Sequence, residues 1–259
     1  MNLNLQGRSA LVTGASRGIG LAVAKLLGAE GCHLHLAARS EPGLRDAANT
    51  IAASHNVEVT IHPGDLSQPE TVAALGEACA DVDILVNNAG DIPPGTLESI
   101  HSATWRQCWD LKVFGYVDLT RAILPRMQAR KSGVVVNVVG VAGEFANPSY
   151  IAGCMGNASL MMFTECLGGE SIRHGVRVVG VNPGPTMSDR HLAHVRARAE
   201  KNLGDAERYL ELEARNPSGR SSTVKEIADA VAFLASDRAA HISGTTLRVD
   251  GGVRAHYWR

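Results

Sequence analysis

The sequence predicts an α/β fold in which a mostly parallel sheet is covered by helices on both faces. Short runs of β-branched and other apolar residues alternate along the chain with longer segments whose apolar residues recur at helical spacing. Strands that alternate with helices in this way pair in parallel, because each helix carries the chain back across the sheet. No linker, repeat or low-complexity tract interrupts the alternation, so we expect a single domain over residues 1–259.

Seven strands are predicted, at residues 9–13, 33–38, 58–62, 84–87, 134–139, 177–182 and 246–249. Helices are predicted at 19–30, 44–55, 69–80, 102–130, 152–174 and 224–235. The stretch from about 186 to 222 breaks this rhythm, since it is long, charged and contains Asn-Pro-Ser-Gly at 216–219. Insertions of that length are usually functional, so we expect a substrate lid there.

Composition limits the classes of partner. The 259 residues are 45% hydrophobic but only 4% aromatic, so the core must be built from Ala, Val, Leu and Ile. The net charge of -1 gives no electrostatic basis for binding nucleic acid or an acidic membrane. Five scattered cysteines without a Cys-x-x-Cys pair predict reduced thiols and no metal site. With neither a secretory signal nor a bilayer-length apolar run, we expect a soluble, cytoplasmic protein.

A glycine-rich turn lies between the first strand and the first helix. It has the form Gly14-x-x-x-Gly18-x-Gly20. Glycines are needed where the backbone bends sharply and lets a pyrophosphate approach the N–H groups of a helix N-terminus. A single turn of this kind can also be a structural corner, so its meaning depends on the motifs that follow.

Further motifs stand at the ends of later predicted strands. They are Gly64-Asp65-Leu66, Asn87-Asn88-Ala89-Gly90, Pro183-Gly184-Pro185, and Ile242-Ser243-Gly244 followed by Val249-Asp250-Gly251-Gly252. Together with the glycine-rich turn, this set resembles the short-chain dehydrogenase/reductase family over essentially the whole chain. The resemblance implies a Rossmann-type, doubly wound, seven-stranded sheet and a nicotinamide dinucleotide cofactor. It also implies oxidoreduction of a carbonyl/alcohol pair on a small organic molecule.

The resemblance assigns cofactor contacts position by position. The residues concerned are Gly14, Ser16, Arg17, Gly18, Ile19 and Gly20 at the diphosphate, Asp65 and Leu66 at the adenine, Asn88, Ala89 and Gly90 along the adenosine ribose, and Pro183, Gly184 and Ser188 at the nicotinamide.

The end of the second predicted strand distinguishes between the two dinucleotides. An NAD site places a carboxylate there to accept a hydrogen bond from the adenosine 2′-hydroxyl, but Ala38 occupies this position. Arg39 follows it, and Arg17 lies in the glycine-rich turn. Two guanidinium groups without an acid suit a 2′-phosphate, unless both are merely solvated. We expect NADP(H) rather than NAD(H), mainly because the acid is missing.

The positions that carry the family's catalytic residues hold other residue types. The family has a serine at the end of the fifth strand, a Tyr-x-x-x-Lys pair on the next helix, and an asparagine on the preceding helix. Its lysine lowers the pKa of the tyrosine, which exchanges the proton. This sequence contains no Tyr-x-x-x-Lys. The aligned residues are Gly140 for the serine, Gly153 for the tyrosine, Asn157 for the lysine and Lys112 for the asparagine.

Two interpretations of Tyr150 and Lys112 stay open. Tyr150 precedes the expected position by three residues, most of a helical turn, so its phenol could enter the same cleft as a proton donor with Lys112 as its electrostatic partner. Alternatively, Tyr150 packs at the helix entry and Lys112 is a packed or exposed stem. Asn157 is expected to bind ribose hydroxyls without supplying charge. Glu144 is interpreted as a surface residue, and Cys154 as a small buried filler.

The predicted lid carries His191, His194 and Arg198 on one helical face. If this stripe faces inward it favours an anionic small-molecule substrate, and if it faces outward it is solvated surface. The aromatic and basic tail, residues 253–259, could dock on a neighbouring subunit, since the resemblance implies a homodimer or homotetramer.

Three functional classes are compatible with the sequence. The favoured one is an NADP(H)-dependent oxidoreductase with altered acid–base residues, because general acid–base help is worth about 10²–10⁴-fold and a substitute donor leaves real activity. The others are a non-redox enzyme, such as an isomerase or lyase, and a pseudoenzyme that retains dinucleotide binding.

Overall fold

A computed structural model describes residues 2–257, and side chains as far as His256. The strands are β1 (Ser9–Thr13), β2 (His33–Ala38), β3 (Val59–Pro63), β4 (Ile84–Asn87), β5 (Gly133–Val138), β6 (Val176–Pro183), β7 (Thr186–Met187), β8 (Ser222–Thr223) and β9 (Thr246–Val249). The α-helices are α1 (Gly18–Ala29), α2 (Glu41–Ser54), α3 (Pro69–Ala78), α4 (Ser102–Trp109), α5 (Gly115–Arg130), α6 (Ile151–Ser171), α7 (Asp189–Leu203), α8 (Tyr209–Glu213), α9 (Val224–Ala235) and α10 (Val253–Tyr257).

The predicted fold class is confirmed. Seven strands form one sheet in the order β3-β2-β1-β4-β5-β6-β9, and every neighbouring pair is parallel. The central strands β4, β5 and β6 are buried along almost their whole length. Strands covered on both faces are expected to be mostly Val, Ile and Leu because neither face meets water, and these residue types dominate β4, β5 and β6.

Two apolar layers enclose the sheet. On one face α1 and α9 pack on the strands through residues such as Val23, Leu27 and Val231, and on the other α3 and α5 pack through Leu75 and Ile123. Burial of each such side chain stabilises the fold by about 1.5–3 kcal/mol. Among the described residues, we find no helix with both the length and the apolar character needed to cross a membrane.

The long helix predicted at 102–130 is interrupted. Between α4 and α5, the segment Asp110–Phe114 adopts a π-helical turn. Insertions of this kind in α-helices are often found at functional sites, because the wider turn re-aims the side chains it carries. Lys112 lies in the middle of this segment, on the side of the sheet where the site is found.

The segment predicted as a lid has secondary structure of its own. It begins with β7, continues through α7 and α8, and returns at β8, which pairs with β7. Val195 and Ala199 of α7 pack on Leu212 of α8 and form a small separate cluster. At the other end of the chain, α10 contains the start of the predicted docking tail, whereas Trp258 and Arg259 lie outside the described residues.

Candidate active site

The predicted site residues follow several different strands and meet at one edge of the sheet. Gly14 follows β1, Asp65 follows β3, Asn88 follows β4, and Gly140 follows β5. Because all of these strands are parallel, their carboxyl ends lie along the same edge. The strand order reverses between β1 and β4, and such switch points are where doubly wound proteins bind their ligands.

The glycine-rich turn has the backbone geometry that the motif requires. Gly14 and Gly18 have positive φ angles of 67° and 58°, which residues other than glycine rarely adopt. A Cβ at Gly20 would overlap the carbonyl oxygen of Gly14 and would lie 2.6 Å from the Asn88 amide nitrogen. Arg17 is the N-cap of α1 and makes no side-chain capping bond, so no capping side chain occupies the first N–H groups of the helix, which also lack partners within the helix.

Two residues assigned to the adenosine end hold the turns together. The Asn88 amide donates to the Thr13 carbonyl oxygen at 2.9 Å, and the Thr13 hydroxyl accepts from the backbone N–H groups of Asn88 and Ala89 at 2.8 and 3.0 Å. Asp65 accepts from the Ser67 N–H at 3.0 Å, which closes the turn before α3. These side chains stabilise the turns at the carboxyl ends of β1, β3 and β4, and whether they contact a ligand stays a prediction.

The remaining predicted cofactor residues surround the same edge. Arg17 and Arg39 are exposed, Leu66 is buried, and Ser188 caps α7 by accepting from the His191 N–H at 3.3 Å. A Cβ at Gly18 would meet the Ser188 Cβ at 3.9 Å, so the start of the lid lies beside the glycine-rich turn. Ser16, Ile19, Gly90, Pro183 and Gly184 complete the set along this edge.

Three of the substituted family positions converge at the end of β5. The Lys112 ammonium donates to the Val139 carbonyl oxygen at 2.7 Å, while the stem of Lys112 packs against Gly90. A Cβ at Gly140 would lie 2.9 Å from the Asn157 amide nitrogen. Asn157 is only 3% exposed, and its Oδ1 accepts no hydrogen bond within the described part of the chain. A buried acceptor without a partner at this edge suits a ligand hydroxyl.

Burial, together with the nearby charge of Arg190, lowers the pKa of Lys112 to about 8. The unfolded chain holds this proton up to a pKa of about 10.4. Between these values the unfolded state binds more protons than the folded state, so the free energy of unfolding rises with pH.

We therefore expect the wild type to gain about 1–3 kcal/mol of stability from pH 7 to pH 10 relative to Lys112→Met. Urea unfolding of both proteins at the two pH values measures this difference. Lys225→Met serves as the control, because Lys225 is an exposed lysine paired with Asp229. Parallel pH profiles for wild type and Lys112→Met would contradict the lowered pKa.

Tyr150 occupies the space above Gly153. A Cβ at Gly153 would overlap Cε1 and Cζ of the Tyr150 ring, so the ring lies where a side chain at 153 would begin. Tyr150 is the N-cap of α6, and the chain before it is held by the Gly95 N–H, which donates to the Ser149 carbonyl oxygen at 2.7 Å. Glycine at 153 is thus the residue that lets the Tyr150 ring lie against the first turn of α6.

The surroundings of Tyr150 combine an apolar wall with one cation. Its ring packs on a cluster that includes Ile92, Cys108 and Trp109. Burial raises the pKa of the Tyr150 phenol, and the charge of Arg190 acts in the opposite direction. Arg190 is held by Asp91, at 2.9 Å, and by the Ile92 carbonyl oxygen, to which it donates at 2.9 Å.

A cavity of about 520 Å³ opens on Tyr150. Besides residues of the loop before α6, it is lined by Arg190, His194 and Arg198 of α7. These three residues are spaced by four, so they form one face of the helix. The predicted stripe shares His194 and Arg198 with this face but contains His191 in place of Arg190. Spacing by four starting from Arg190 is the signal that would have found it.

His191 belongs to a different contact from the one predicted. Its Nε2 lies 2.9 Å from Glu213 and 3.1 Å from the Ser221 hydroxyl, and it lines a second cavity of about 540 Å³. Burial acts to raise the pKa of Glu213, but hydrogen bonds from Ser221 and His191 lower it below its usual value. The predicted stripe is therefore divided: His194 and Arg198 face the Tyr150 cavity, and His191 fastens α7 to the far end of the lid.

Glu144 is not the surface residue that the sequence suggested. Its side chain is 22% exposed, and it accepts from the Asn182 amide at 2.8 Å. Arg248 and Arg254 lie 3.5 and 4.0 Å from the carboxylate. Charges contributed by β9 and α10 draw Glu144 inward, and sequence periodicity does not reveal such distant partners.

The fold and the glycine-rich turn define a dinucleotide-binding protein of the doubly wound α/β class. The comparison with known families is consistent with this class, because a family model described as enoyl-(acyl carrier protein) reductase matches residues 14–254. The chain belongs to the short-chain dehydrogenase/reductase family.

Individual relatives match over nearly the full length of both chains. The 3-oxoacyl-[acyl-carrier-protein] reductase of Vibrio cholerae is 35% identical over 97% of this chain and 99% of its own. Nodulation protein G of a Rhizobium species is 36% identical over 96% and 98%. A crystal structure of L-sorbose reductase from Gluconobacter frateurii, complexed with NADPH and L-sorbose, has a TM-score of 0.92 and 31% identity over 98% of each chain.

Proposed function

We propose that this protein is an NADPH-dependent reductase of a small carbonyl compound, with Tyr150 as a relocated proton donor. The observation that carries the proposal is the position of the Tyr150 ring, which fills the space above Gly153 and lines the cavity. The residues Gly140, Gly153, Asn157 and Lys112 replace the family's usual set, so the acid–base chemistry must come from elsewhere. Tyr150 is a phenol of the required chemistry at that place.

The residues around the glycine-rich turn fit a dinucleotide. Gly14, Gly18 and Gly20 leave a cradle that a Cβ would fill, and the start of α1 offers free N–H groups to a diphosphate. Asn157 lies at the same end of β5, and we propose that its side-chain amide binds a ribose hydroxyl. When bound, NADPH supplies the hydride equivalent, and the protein contributes binding, orientation and the proton.

Arg190 takes the electrostatic role in this proposal. One of the two interpretations of the sequence made Lys112 the electrostatic partner of Tyr150, but the Lys112 ammonium donates to the Val139 carbonyl oxygen. The cation whose charge acts on the Tyr150 phenol is Arg190. We assign to Arg190 the stabilisation of the phenolate that forms as the proton leaves, and to Lys112 the support of the β5 end beside the cofactor.

The 2′-phosphate of NADPH is proposed to lie beside Arg39 and Arg17. Charge-assisted hydrogen bonds of this kind contribute about 1.5–3 kcal/mol, so Arg39→Ala should weaken NADPH binding roughly 10- to 150-fold and leave NADH binding unchanged. Fluorescence titration with both dinucleotides measures this. Arg45→Ala is a control, since Arg45 is an exposed arginine of the next helix paired with Glu41. Equal losses for NADPH and NADH would contradict recognition of the 2′-phosphate.

The cavity favours an anionic substrate. Arg190, His194 and Arg198 line it on the lid side, and of these three only Arg190 has a carboxylate of the described residues within salt-bridge distance, that of Asp91. We propose a carbonyl compound that also carries a carboxylate or phosphate. A pair of substrates that differ only in that group, such as a keto acid and its methyl ester, tests this.

Arg198→Ala should raise KM for the keto acid about tenfold and leave KM for the ester unchanged, because one exposed charge contributes about 1 kcal/mol or slightly more. Arg215→Ala controls for a general loss of positive charge, since Arg215 lines only the second cavity. If the two substrates respond equally to Arg198→Ala, the anionic group is not recognised there.

NADPH oxidation by the purified protein, assayed across aldehydes, ketones and keto acids, tests the function itself. Turnover that depends on NADPH supports the proposal. NADPH binding without turnover would instead favour a pseudoenzyme, and turnover of a substrate without any change in dinucleotide absorbance would favour a non-redox enzyme.

We further propose a cytoplasmic homo-oligomer, a dimer or a tetramer. The exposed apolar side chains Phe114, Met155 and Met162 lie on or beside α5 and α6, with exposed fractions of 50%, 49% and 59%. We propose that these three side chains contribute to one contact between subunits, since such contacts bury large apolar side chains that are exposed in the monomer. Light scattering of the wild type and Met162→Glu distinguishes an assembly through this face from a monomer.

A further inference from the structure

Three metal-ligating side chains meet at the β2–β3 edge of the sheet, far from the Tyr150 cavity. His35 lies in β2, His62 in β3, and Cys79 at the end of α3. The strand register pairs Ala37 with His62, so His35 and His62 lie diagonally on the same face. One ligand atom of each of the three residues lies within 4.8 Å of the others.

The distances between these atoms are close to those of a tetrahedral zinc site. His35 Nδ1 is 3.0 Å from His62 Nε2, and Cys79 Sγ is 3.6 Å from the same nitrogen. With Zn–N bonds of about 2.0–2.1 Å and Zn–S bonds of about 2.3 Å, tetrahedral angles separate two nitrogens by about 3.3 Å and nitrogen from sulfur by about 3.6 Å. A shift of roughly 0.3 Å between the two rings brings their nitrogens to that separation, the Cys79 sulfur already lies at the expected distance from His62, and His35 Nδ1 lies within 4.8 Å of that sulfur.

Hydrogen bonding alone does not account for this arrangement. His62 Nε2 carries either one lone pair or one hydrogen in the ring plane, so it cannot make two linear hydrogen bonds at once. Both short contacts nevertheless converge on it. A cation bound between the three residues would accept one lone pair from each of the three atoms. His62 Nε2 would then need to point only toward the cation, and not toward His35 and Cys79 at once.

The chemistry of the three side chains also suits a metal. Imidazole nitrogen and thiolate sulfur are the ligand atoms that Zn²⁺ takes in proteins. A bound divalent ion would take the place of the Cys79 thiol proton, which passes to solvent, because thiolate is the ligand form.

We propose that His35, His62 and Cys79 bind a Zn²⁺ ion, with water as its fourth ligand. The two histidines are half-buried, which gives the ion and the water access, while Cys79 is only 1% exposed. The ligands come from β2, β3 and α3, so the ion would fasten an edge strand to the sheet and to the helix above it. Sequence analysis predicted no metal site, because these residues are 27 and 17 positions apart and form no short motif.

Titration of the chelator-treated, full-length protein with Co²⁺ and then Zn²⁺ tests the site. We expect one Co²⁺ per chain, a thiolate-to-cobalt charge-transfer band and the visible bands of tetrahedral cobalt, all removed when Zn²⁺ displaces it. Zn²⁺ at about 100 times its Kd should raise Tm by about 5–10 °C.

Cys79→Ala and His62→Gln should each weaken metal binding by at least about 100-fold. Loss of a residue that only hydrogen-bonds to a ligand costs less, about 10- to 100-fold. Cys32→Ala is the matched control: Cys32 is equally buried, but its sulfur donates to the Leu5 carbonyl oxygen. Circular dichroism checks that each variant is folded. Absence of the charge-transfer band in the wild type, or equal Co²⁺ binding by wild type and folded His62→Gln, would overturn the proposal.

Discussion

Tyr150→Phe is expected to lower kcat of the NADPH-dependent reduction by about 10²–10⁴-fold while leaving the affinity for NADPH unchanged. The substitution removes only the hydroxyl, and a positioned proton donor is worth about this factor. Because burial raises the pKa of Tyr150 above its ordinary value of about 10, the wild-type phenol stays protonated at neutral pH. The rate of reduction should therefore not fall as the pH is raised from 6 to about 9. Steady-state kinetics across this range measure both effects.

Tyr116→Phe is the control for this experiment. Tyr116 is another buried tyrosine, but its hydroxyl donates to the Val138 carbonyl oxygen at 2.9 Å and does not line the cavity. Its loss should cost about 1–3 kcal/mol of stability with kcat nearly unchanged. A Tyr150→Phe enzyme as fast as the wild type would show that the proton comes from another group.

Gly153→Ala is expected to lower kcat nearly as much as the loss of the phenol itself. A methyl group at 153 would overlap the ring of Tyr150, so the ring must leave its place although the hydroxyl is still present. Alanine favours the helix over glycine by about 1 kcal/mol, so α6 itself should tolerate the change. Kinetics of the single and double variants measure the effect: adding Tyr150→Phe to Gly153→Ala should cause little further loss, because both act through one group.

Gly169→Ala provides the matched glycine substitution. Gly169 lies in the same helix, and a Cβ there would meet nothing within 4 Å. This variant should keep the wild-type kcat and be slightly more stable. If Gly153→Ala is also fully active, the position of the Tyr150 ring above Gly153 has no catalytic importance.

The fold was largely predictable from local patterns. Strands that are buried on both faces must be apolar throughout, and the helices between them carry apolar residues at helical spacing, so alternation alone predicts a parallel sheet. The break at Asp110–Phe114 was not predictable, because a π-helical turn needs no Gly or Pro to mark it and the apolar spacing continues through it.

The candidate site was likewise predictable only in part. The sequence predicted the glycine-rich turn, because close backbone approach leaves glycine as the only suitable residue at fixed spacing. It also indicated Tyr150 and Asn157 as candidate substitutes, since Tyr150 lies three residues before the tyrosine position and Asn157 aligns with the lysine position. Arg190 was missed, because its effect on Tyr150 depends on how the lid helix packs across the cavity and not on any spacing along the chain.

The sequence by itself therefore determined the sheet, the dinucleotide turn and the absence of a Tyr-x-x-x-Lys pair, because these depend on residue type at short range. The tertiary structure alone decided which side chains converge: the Tyr150 ring above Gly153, Arg190 beside it, and His35, His62 and Cys79 at the opposite part of the sheet. Contacts of this kind join residues that are distant along the chain. Their distances are set by strand register and helix packing, which no local pattern of residues encodes.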